Sequence, residues 1–206
     1  MSRDFEAPAE GGAAMTACEA LVAESGIPAR LARAELDDDL GLGSTLGLAA
    51  LARLGTVAMV FSCDTARGVS LAAQAVRRAA THGCGSWCRP FEDLCAQLRP
   101  SDPSADAAMC RMLSCDLLCL YGVGADELTP WRVSAALSGP LSVRRELGMP
   151  SLVCTPLAGL RELLEAAAEA GCGESDLDAL AAVAARSILL DATGEDGAYH
   201  GTRNDR

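Results

Sequence analysis

Continuous apolar runs alternate with helical segments along this 206-residue chain, and that alternation restricts the fold more than any other feature. The runs are "TVAMVFS", "CDLLCLYG" and "MPSLVCTP", each of strand length. A strand that is apolar throughout is buried on both faces, as in a parallel sheet covered by helices. We therefore predict an α/β fold with a parallel sheet and helices on both faces.

Helical spacing or capping signals predict the segments between these runs as helices. The predicted helices are "TACEALVAES", "STLGLAALARL", "GVSLAAQAVRRAATHG", "FEDLCAQLR", "SADAAMCRML", "TPWRVSAALSGPLSVRREL", "LAGLRELLEAAAEAG" and "SDLDALAAVAARSILL". Thr16 and Ser175 are predicted N-caps, with Glu19 completing a capping box at the first. The segment "TPWRVSAALSGPLSVRREL" contains one or two helices, broken near Gly139–Pro140. The predicted organisation is a flexible acidic leader (1–14), a helical N-terminal segment (15–54), the α/β domain (55–192) and a flexible tail (193–206).

All 17 basic residues are arginine, and the formal net charge is −11. Without lysine, neither Schiff-base chemistry nor a phosphate-binding lysine is available to this chain. The acidic balance argues against broad nucleic-acid binding, which depends on neutralising many phosphates, so we expect direct DNA binding to be weak or absent. The acidic N-terminus lacks an apolar run, and no stretch approaches the ~20 apolar residues of a membrane span. These features predict a cytoplasmic protein without a membrane segment.

Ten cysteines are present, but no C-x-x-C pair occurs, and the histidines are limited to His82 and His200. Structural zinc sites normally show close-spaced Cys or His pairs. We therefore predict reduced buried thiols and no metal site. One metal alternative remains open, built from "CGSWC" and Cys95. Thiol catalysis is not favoured, because the phosphatase pattern C-x-x-x-x-x-R fails at Cys63 and at Cys84. The cysteines are Cys18, Cys63, Cys84, Cys88, Cys95, Cys110, Cys115, Cys119, Cys154 and Cys172.

The turns after Phe61, Leu120 and Thr155 follow the three apolar runs, and ligands of parallel sheets bind at the carboxyl ends of strands. A phosphate-binding loop reads G-x-x-x-x-G-K-[ST]. "SCDTARGV" occupies those eight positions, with Gly68 in the place of the lysine and Val69 in the place of the hydroxyl. We predict a degenerate phosphate loop there, which could bind nucleotide only if Arg67 replaced part of the lysine's charge. Its residues are Ser62, Cys63, Asp64, Thr65, Ala66, Arg67, Gly68, Val69 and Ser70.

The other two turns also lack the groups expected of an ATPase. Tyr121 and Gly122 end the second strand, where two acids would hold Mg²⁺ and orient water. Pro156 stands where the third strand would present a polar sensor residue. From these residues alone, the site has no catalytic group, and we predict no cofactor, although weak ATP and Mg²⁺ binding remains an alternative.

The order of the segments resembles that in two groups of AAA+ ATPases, which have the P-loop NTPase fold. These are the DnaC-type helicase loaders and the IstB-type transposition helpers. "SGIPARLARAELDDDL" is similar to the segment that precedes their ATPase core. "VAMVFSCDTARGVSLAAQAV" matches the strand, P-loop and helix, and "CDLLCLYGVGADELTPW" the Walker B region. "GMPSLVCTPL" resembles the sensor strand. "AVAARSILLDATGED" resembles the terminal helix and strand, which places Arg186 at the family's trans-acting arginine. The likeness runs from about Ser25 to Asp196.

The resemblance implies a role in DNA replication or in a mobile element, with a replicative helicase or an active AAA+ subunit as protein partner. The missing lysine, hydroxyl, acids and sensor residue predict a pseudo-ATPase that acts through protein contacts. The first alternative is a loader or transposition helper that binds ATP and works only in a mixed oligomer, with Arg186 acting in trans. The second is a cysteine-based metal-binding or redox-responsive protein.

Overall fold

A computed structural model describes residues 10–32 and 57–192, and all structural statements concern these two ranges. Five parallel strands form one sheet in the order β2-β3-β4-β1-β5. The predicted parallel α/β architecture is confirmed. The strands are β1 (Val57–Phe61), β2 (Ser86–Pro90), β3 (Leu117–Tyr121), β4 (Ser151–Cys154) and β5 (Ile188–Asp191).

Helices connect the strands and precede the first one. A π-helix (Arg132–Ser138) runs directly into α6, with no residue between them. The α-helices are α1 (Glu10–Glu24), α2 (Ala29–Ala32), α3 (Thr65–Thr81), α4 (Phe91–Gln97), α5 (Ala105–Ser114), α6 (Gly139–Glu146), α7 (Leu160–Glu169) and α8 (Glu174–Ala184). None of the helices in the described ranges is long and apolar enough to cross a membrane.

Side chains of β1 alternate between two cores, one on each face of the sheet. Val57, Met59 and Phe61 pack with the helices that follow β2, whereas Ala58 and Val60 pack beneath α1 and α3. All five are buried. This two-sided burial explains why β1 is apolar throughout, because alternate residues point to opposite faces. The alanine-rich face of α3 lies close against the sheet because small side chains allow close approach.

The edge strand β2 was missed at the sequence level. Its sequence "SWCRP" mixes polar and apolar residues and ends in proline, which is tolerated at sheet edges but predicts strands poorly. The turn after α1 covers part of this edge, where Cys88 N donates to Ser25 O at 2.8 Å. Trp87, in the middle of this strand pair, is buried. Short mixed strands of this kind become recognisable only through their neighbours.

Two predicted helix starts were wrong. Helix α1 begins at Glu10, so Thr16 lies inside the helix and the predicted leader already contains its first turns. The good helix formers upstream, including Ala13 and Ala14, extend the helix past the capping-box signal. Helix α8 begins after Gly173 rather than Ser175, and the Asp176 carboxylate accepts a hydrogen bond from Gly173 N.

The predicted break at Gly139–Pro140 is a change of helix type. The π-helix passes into α6 with Gly139 N donating to Ser134 O, and a Cβ at position 139 would lie 2.6 Å from that oxygen. Pro140 lacks an N–H, which accounts for the local change of hydrogen bonding. The predicted helix Ser44–Leu54 and the tail 193–206 lie outside the described residues, as do most of the predicted leader and N-terminal segment.

Candidate functional site

The carboxyl ends of β1, β3 and β4 meet at one edge of the sheet. The strands β1 and β4 are neighbours, but the connections that follow them run in opposite directions across the sheet. The connection after β1 leads to the edge strand β2, and the connection after β4 leads to the other edge strand, β5. Such a reversal is the place where open parallel sheets bind ligands. The three turns identified from the sequence lie here, so the sheet brings them together as predicted.

The connection between β1 and α3 is short. Ser62, Cys63 and Asp64 separate the last strand residue from the first helical residue, and Ser62 has a φ of +53°. The other predicted loop residues belong to the first turns of α3, namely Thr65, Ala66, Arg67, Gly68, Val69 and Ser70. The nine residues are therefore neighbours, but most are helical and do not form an open phosphate-binding loop.

Backbone amides at the start of this connection donate to the neighbouring turn. Ser62 N donates to Leu157 O at 2.7 Å, and Cys63 N donates to Thr155 O at 2.9 Å. In a phosphate-binding loop, amides of this kind point at the ligand instead. The contacts hold the β1–α3 connection against the turn that follows β4.

Asp64 is the N-cap of α3. Its carboxylate accepts a hydrogen bond of 2.8 Å from Arg67 N, and its carbonyl accepts one of 2.8 Å from Gly68 N. A carboxylate at this position interacts favourably with the helix dipole. The amide of Arg67, at the start of α3, is thus occupied by a carboxylate of the chain itself.

Gly68 brings α3 into close contact with the sheet. A Cβ at this position would lie 3.2 Å from both Tyr121 Cβ and Cys154 Cβ, at the ends of β3 and β4. The position is buried. The Cβ of a lysine at this position would press against two strands. Glycine at the position of the missing lysine therefore allows the helix to pack closely on the sheet.

The ends of β3 and β4 present few charged groups. Tyr121 is buried, and Gly122 follows it with a φ of +73°. After β4, the Thr155 hydroxyl accepts a hydrogen bond of 3.2 Å from Leu157 N. The nearby cation is Arg67, whose Nε is buried without a hydrogen-bond partner among the described residues. Arg67 is thus the one predicted site residue that carries positive charge at this edge.

Arg186 lies at the opposite edge of the sheet. It occupies the turn between α8 and β5, two residues before Ile188, which pairs with Ala58 near the start of β1. The Ser62–Asp64 connection follows the other end of β1. The two predicted parts of the site are therefore separated by the length of a strand, and Arg186 is exposed to solvent. Within one chain they do not form a common site.

The cysteines are free thiols, and most of them are buried as predicted. In the two described ranges, no group of three or more His, Cys, Asp or Glu side chains is placed to hold a metal ion. The metal alternative at Cys84, Cys88 and Cys95 therefore gains no support. Sequence reasoning missed that Cys63 and Cys154 lie close together beneath Gly68, which they do because β1 and β4 are neighbours.

No protein-family model matches the sequence, and neither does any curated protein. The fold does match solved structures. One is a crystal structure of DnaI, which superposes with a TM-score of 0.64 at 13% sequence identity and covers 81% of this chain and 94% of that chain. A likeness at this identity concerns the fold. The chain therefore shares the fold of DnaI, a five-stranded parallel sheet flanked by helices.

Proposed function

We propose that this protein is a catalytically inactive, helicase-loader-like AAA+ homologue that acts through protein contacts in the cytoplasm. Its setting would be DNA replication or a mobile element, with a replicative helicase or an active AAA+ subunit as partner. The fold likeness to DnaI supports the loader-like part of the proposal. The inactive part depends on the residues at the carboxyl edge of the sheet.

The observation that carries the proposal is the position of Gly68. It stands where the aligned phosphate loop has its lysine, and it packs against Tyr121 and Cys154. Phosphoryl transfer depends chiefly on positioning and on electrostatic stabilisation of the transferred group. At this edge the chain offers neither a lysine nor an acid at the end of β3, and Asp64 adds negative charge.

Nucleotide binding by calorimetry tests this part directly. ATP would be titrated into the full chain with and without Mg²⁺, and the titration repeated with Arg67→Ala. We expect no saturable binding at millimolar ATP for either protein. Micromolar, Mg²⁺-dependent binding that Arg67→Ala weakens would overturn the proposal. It would show that the β1–α3 connection opens to receive phosphate.

Arg186 favours a second candidate function, in which the protein works in a mixed oligomer. Its exposed position at the opposite sheet edge is suited to reach a neighbouring subunit rather than its own site. The test compares the ATPase rate of an active AAA+ partner alone, with this protein, and with Arg186→Ala. Stimulation that is lost in Arg186→Ala would support the mixed oligomer. An unchanged partner rate in all three mixtures would argue against it.

The choice between a protein partner and DNA can also be tested. The net charge of −11 favours protein contacts, because DNA binding requires cationic surface. We expect fluorescence anisotropy with labelled single-stranded and double-stranded DNA to remain unchanged at micromolar protein. We expect light scattering to detect a complex with the replicative helicase of the same cell. Tight DNA binding without helicase binding would contradict the proposed partner.

A further inference from the structure

Sheet order places two buried cysteines side by side beneath the start of α3. Cys154 is the last residue of β4 and pairs with Val60 of β1. Cys63 follows β1 by two residues, and its amide donates to the carbonyl of Thr155, the residue after Cys154. Both side chains are fully buried. The backbone thus holds the two residues on adjacent segments at the same height of the sheet.

The two cysteines belong to the same buried cluster beneath α1 and α3. They also border the same small space below α3. A Cβ at Gly68 would lie 3.7 Å from Cys63 Sγ and 3.2 Å from Cys154 Cβ. Glycine at position 68 therefore leaves both sulfur-bearing side chains room beneath the helix. No metal-binding group of three includes them among the described residues.

The surroundings distinguish Cys63 from the other buried thiols. The hydrogen bond with Cys154 lowers the pKa of the Cys63 thiol, and the charge of Arg67 acts in the same direction. The same hydrogen bond and burial raise the pKa of Cys154. By contrast, burial raises the pKa of Cys88 to about 12. Because the thiolate is the nucleophile, Cys63 is the one of this group suited to react first.

We propose that Cys63 and Cys154 form an oxidisable dithiol site, converted to a disulfide by hydrogen peroxide. This site goes beyond the proposed function and does not depend on it, because it requires neither nucleotide nor a partner. It rests on the position of the two buried thiols at the ends of adjacent strands, where both border the space beneath Gly68.

The chemistry balances in two steps. The Cys63 thiolate attacks one peroxide oxygen, the O–O bond breaks, and Cys63 becomes a sulfenic acid. The other oxygen leaves as hydroxide and becomes water by taking the proton that the Cys63 thiol released. The Cys154 sulfur then attacks the Cys63 sulfur, the S–O bond breaks, and the hydroxide leaves with the Cys154 proton as a second water. Two thiols lose two electrons in total, and peroxide gains them.

The experiment uses the reduced full chain, treated with hydrogen peroxide, then alkylated under denaturing conditions and analysed by peptide mass mapping. We expect the loss of two of the ten thiols and one main cross-linked pair of peptides, containing Cys63 and Cys154. A reductant should restore both thiols. Treatment in urea is the control for the fold, because the unfolded chain should give mixed pairings.

Variants separate the roles of the two thiols. In Cys154→Ser, we expect Cys63 to stop at the sulfenic acid and to be labelled by dimedone, whereas Cys63→Ser should give no cross-link and no label at position 154. Cys119→Ser is the matched control, a buried thiol one strand away whose loss should leave the Cys63–Cys154 link intact. Circular dichroism verifies that each variant is folded. If a variant does not fold, the peptide map of the oxidised wild-type protein still tests the proposal.

Three results would overturn the proposal. The first is a main cross-link between Cys88 and Cys119, which face each other in the register of β2 and β3. The second is oxidation confined to the exposed Cys110. The third is a folded Cys154→Ser protein in which dimedone labels Cys63 no more than Cys119.

Discussion

Arg144 Nε donates a hydrogen bond of 2.9 Å to Ser151 Oγ at the start of β4, although Arg144 is completely buried. The same guanidinium donates to Met112 O, Cys115 O and Pro150 O. It thereby joins the end of α5 to the beginning of β4. Within the described residues its acceptors are neutral carbonyl, hydroxyl and thiol groups, so hydrogen bonds rather than an ion pair hold this cation.

Arg144→Met should destabilise the protein, because it leaves buried carbonyl oxygens without a donor, each costing about 1–3 kcal/mol. The free energy of unfolding in urea measures the loss. Arg145→Met is the matched control, since Arg145 is partly exposed and donates one long hydrogen bond of 3.4 Å to Ala182 O. We expect it to change stability by less than about 0.5 kcal/mol. Equal effects of the two substitutions would show that the buried network contributes little.

Gly26→Ala should be more destabilising than Gly171→Ala, although the two glycines have nearly the same φ, +89° and +90°. A Cβ at Gly26 would meet the Arg89 guanidinium and would lie 3.0 Å from the backbone oxygen of Cys88, whereas nothing lies within 4 Å of a Cβ at Gly171. Both substitutions carry the cost of a left-handed backbone, so their difference isolates the steric contact, about 1–3 kcal/mol. Thermal unfolding of the two variants measures it. Equal losses would mean that the Arg89 side chain moves away at little cost.

Gly68→Lys restores the missing lysine of the phosphate motif but should restore no function. Its Cβ would be 3.2 Å from two strand side chains, so we expect a loss of about 1–3 kcal/mol from overpacking. Calorimetry should detect no ATP binding by the folded variant. Ala66→Lys, at an exposed position in the same helical turn, is the control and should leave stability nearly unchanged. If Gly68→Lys binds ATP, the absence of the lysine alone accounts for the loss of nucleotide binding in the natural chain.

Stability should fall as the pH rises above about 9. Burial raises the pKa of Cys88 to about 12 and of Cys95 to about 11, against an ordinary value of 9.0. The contribution of these two thiols to the free energy of unfolding is complete below pH 9. It is lost as the pH rises toward their folded pKa values, because in that range the thiols lose their protons in the unfolded chain but keep them in the folded one. Each such thiol contributes a slope of up to about 1.4 kcal/mol per pH unit. Cys63 acts in the opposite direction, since its pKa is lowered.

Urea unfolding between pH 7 and pH 10, under a reductant, measures this dependence. Cys88→Ala should give a shallower decline above pH 9 than the wild-type protein, whereas Cys110→Ala, at an exposed position, should not. A free energy of unfolding that stays constant from pH 8 to pH 10 would contradict the expected protonation of the buried thiols.

By itself, the sequence determined the buried strands β1, β3 and β4 and the α/β class. A strand covered on both faces needs apolar side chains at every position, and such a continuous apolar run can be recognised from the sequence alone. It also determined which catalytic groups are available, since a chain without lysine cannot place one at a phosphate. These conclusions depend on residue type and local order alone.

Only the tertiary structure determines which distant residues become neighbours. The strand order β2-β3-β4-β1-β5 brings Cys63 against Cys154, and no local pattern in the sequence specifies that order. It also separates Arg186 from the β1–α3 connection by the length of a strand. The edge strand β2 became recognisable through its pairing with β3 and its contact with the turn at Ser25. Long-range contacts decide these features, because hydrogen bonds between strands join residues that the chain order keeps far apart.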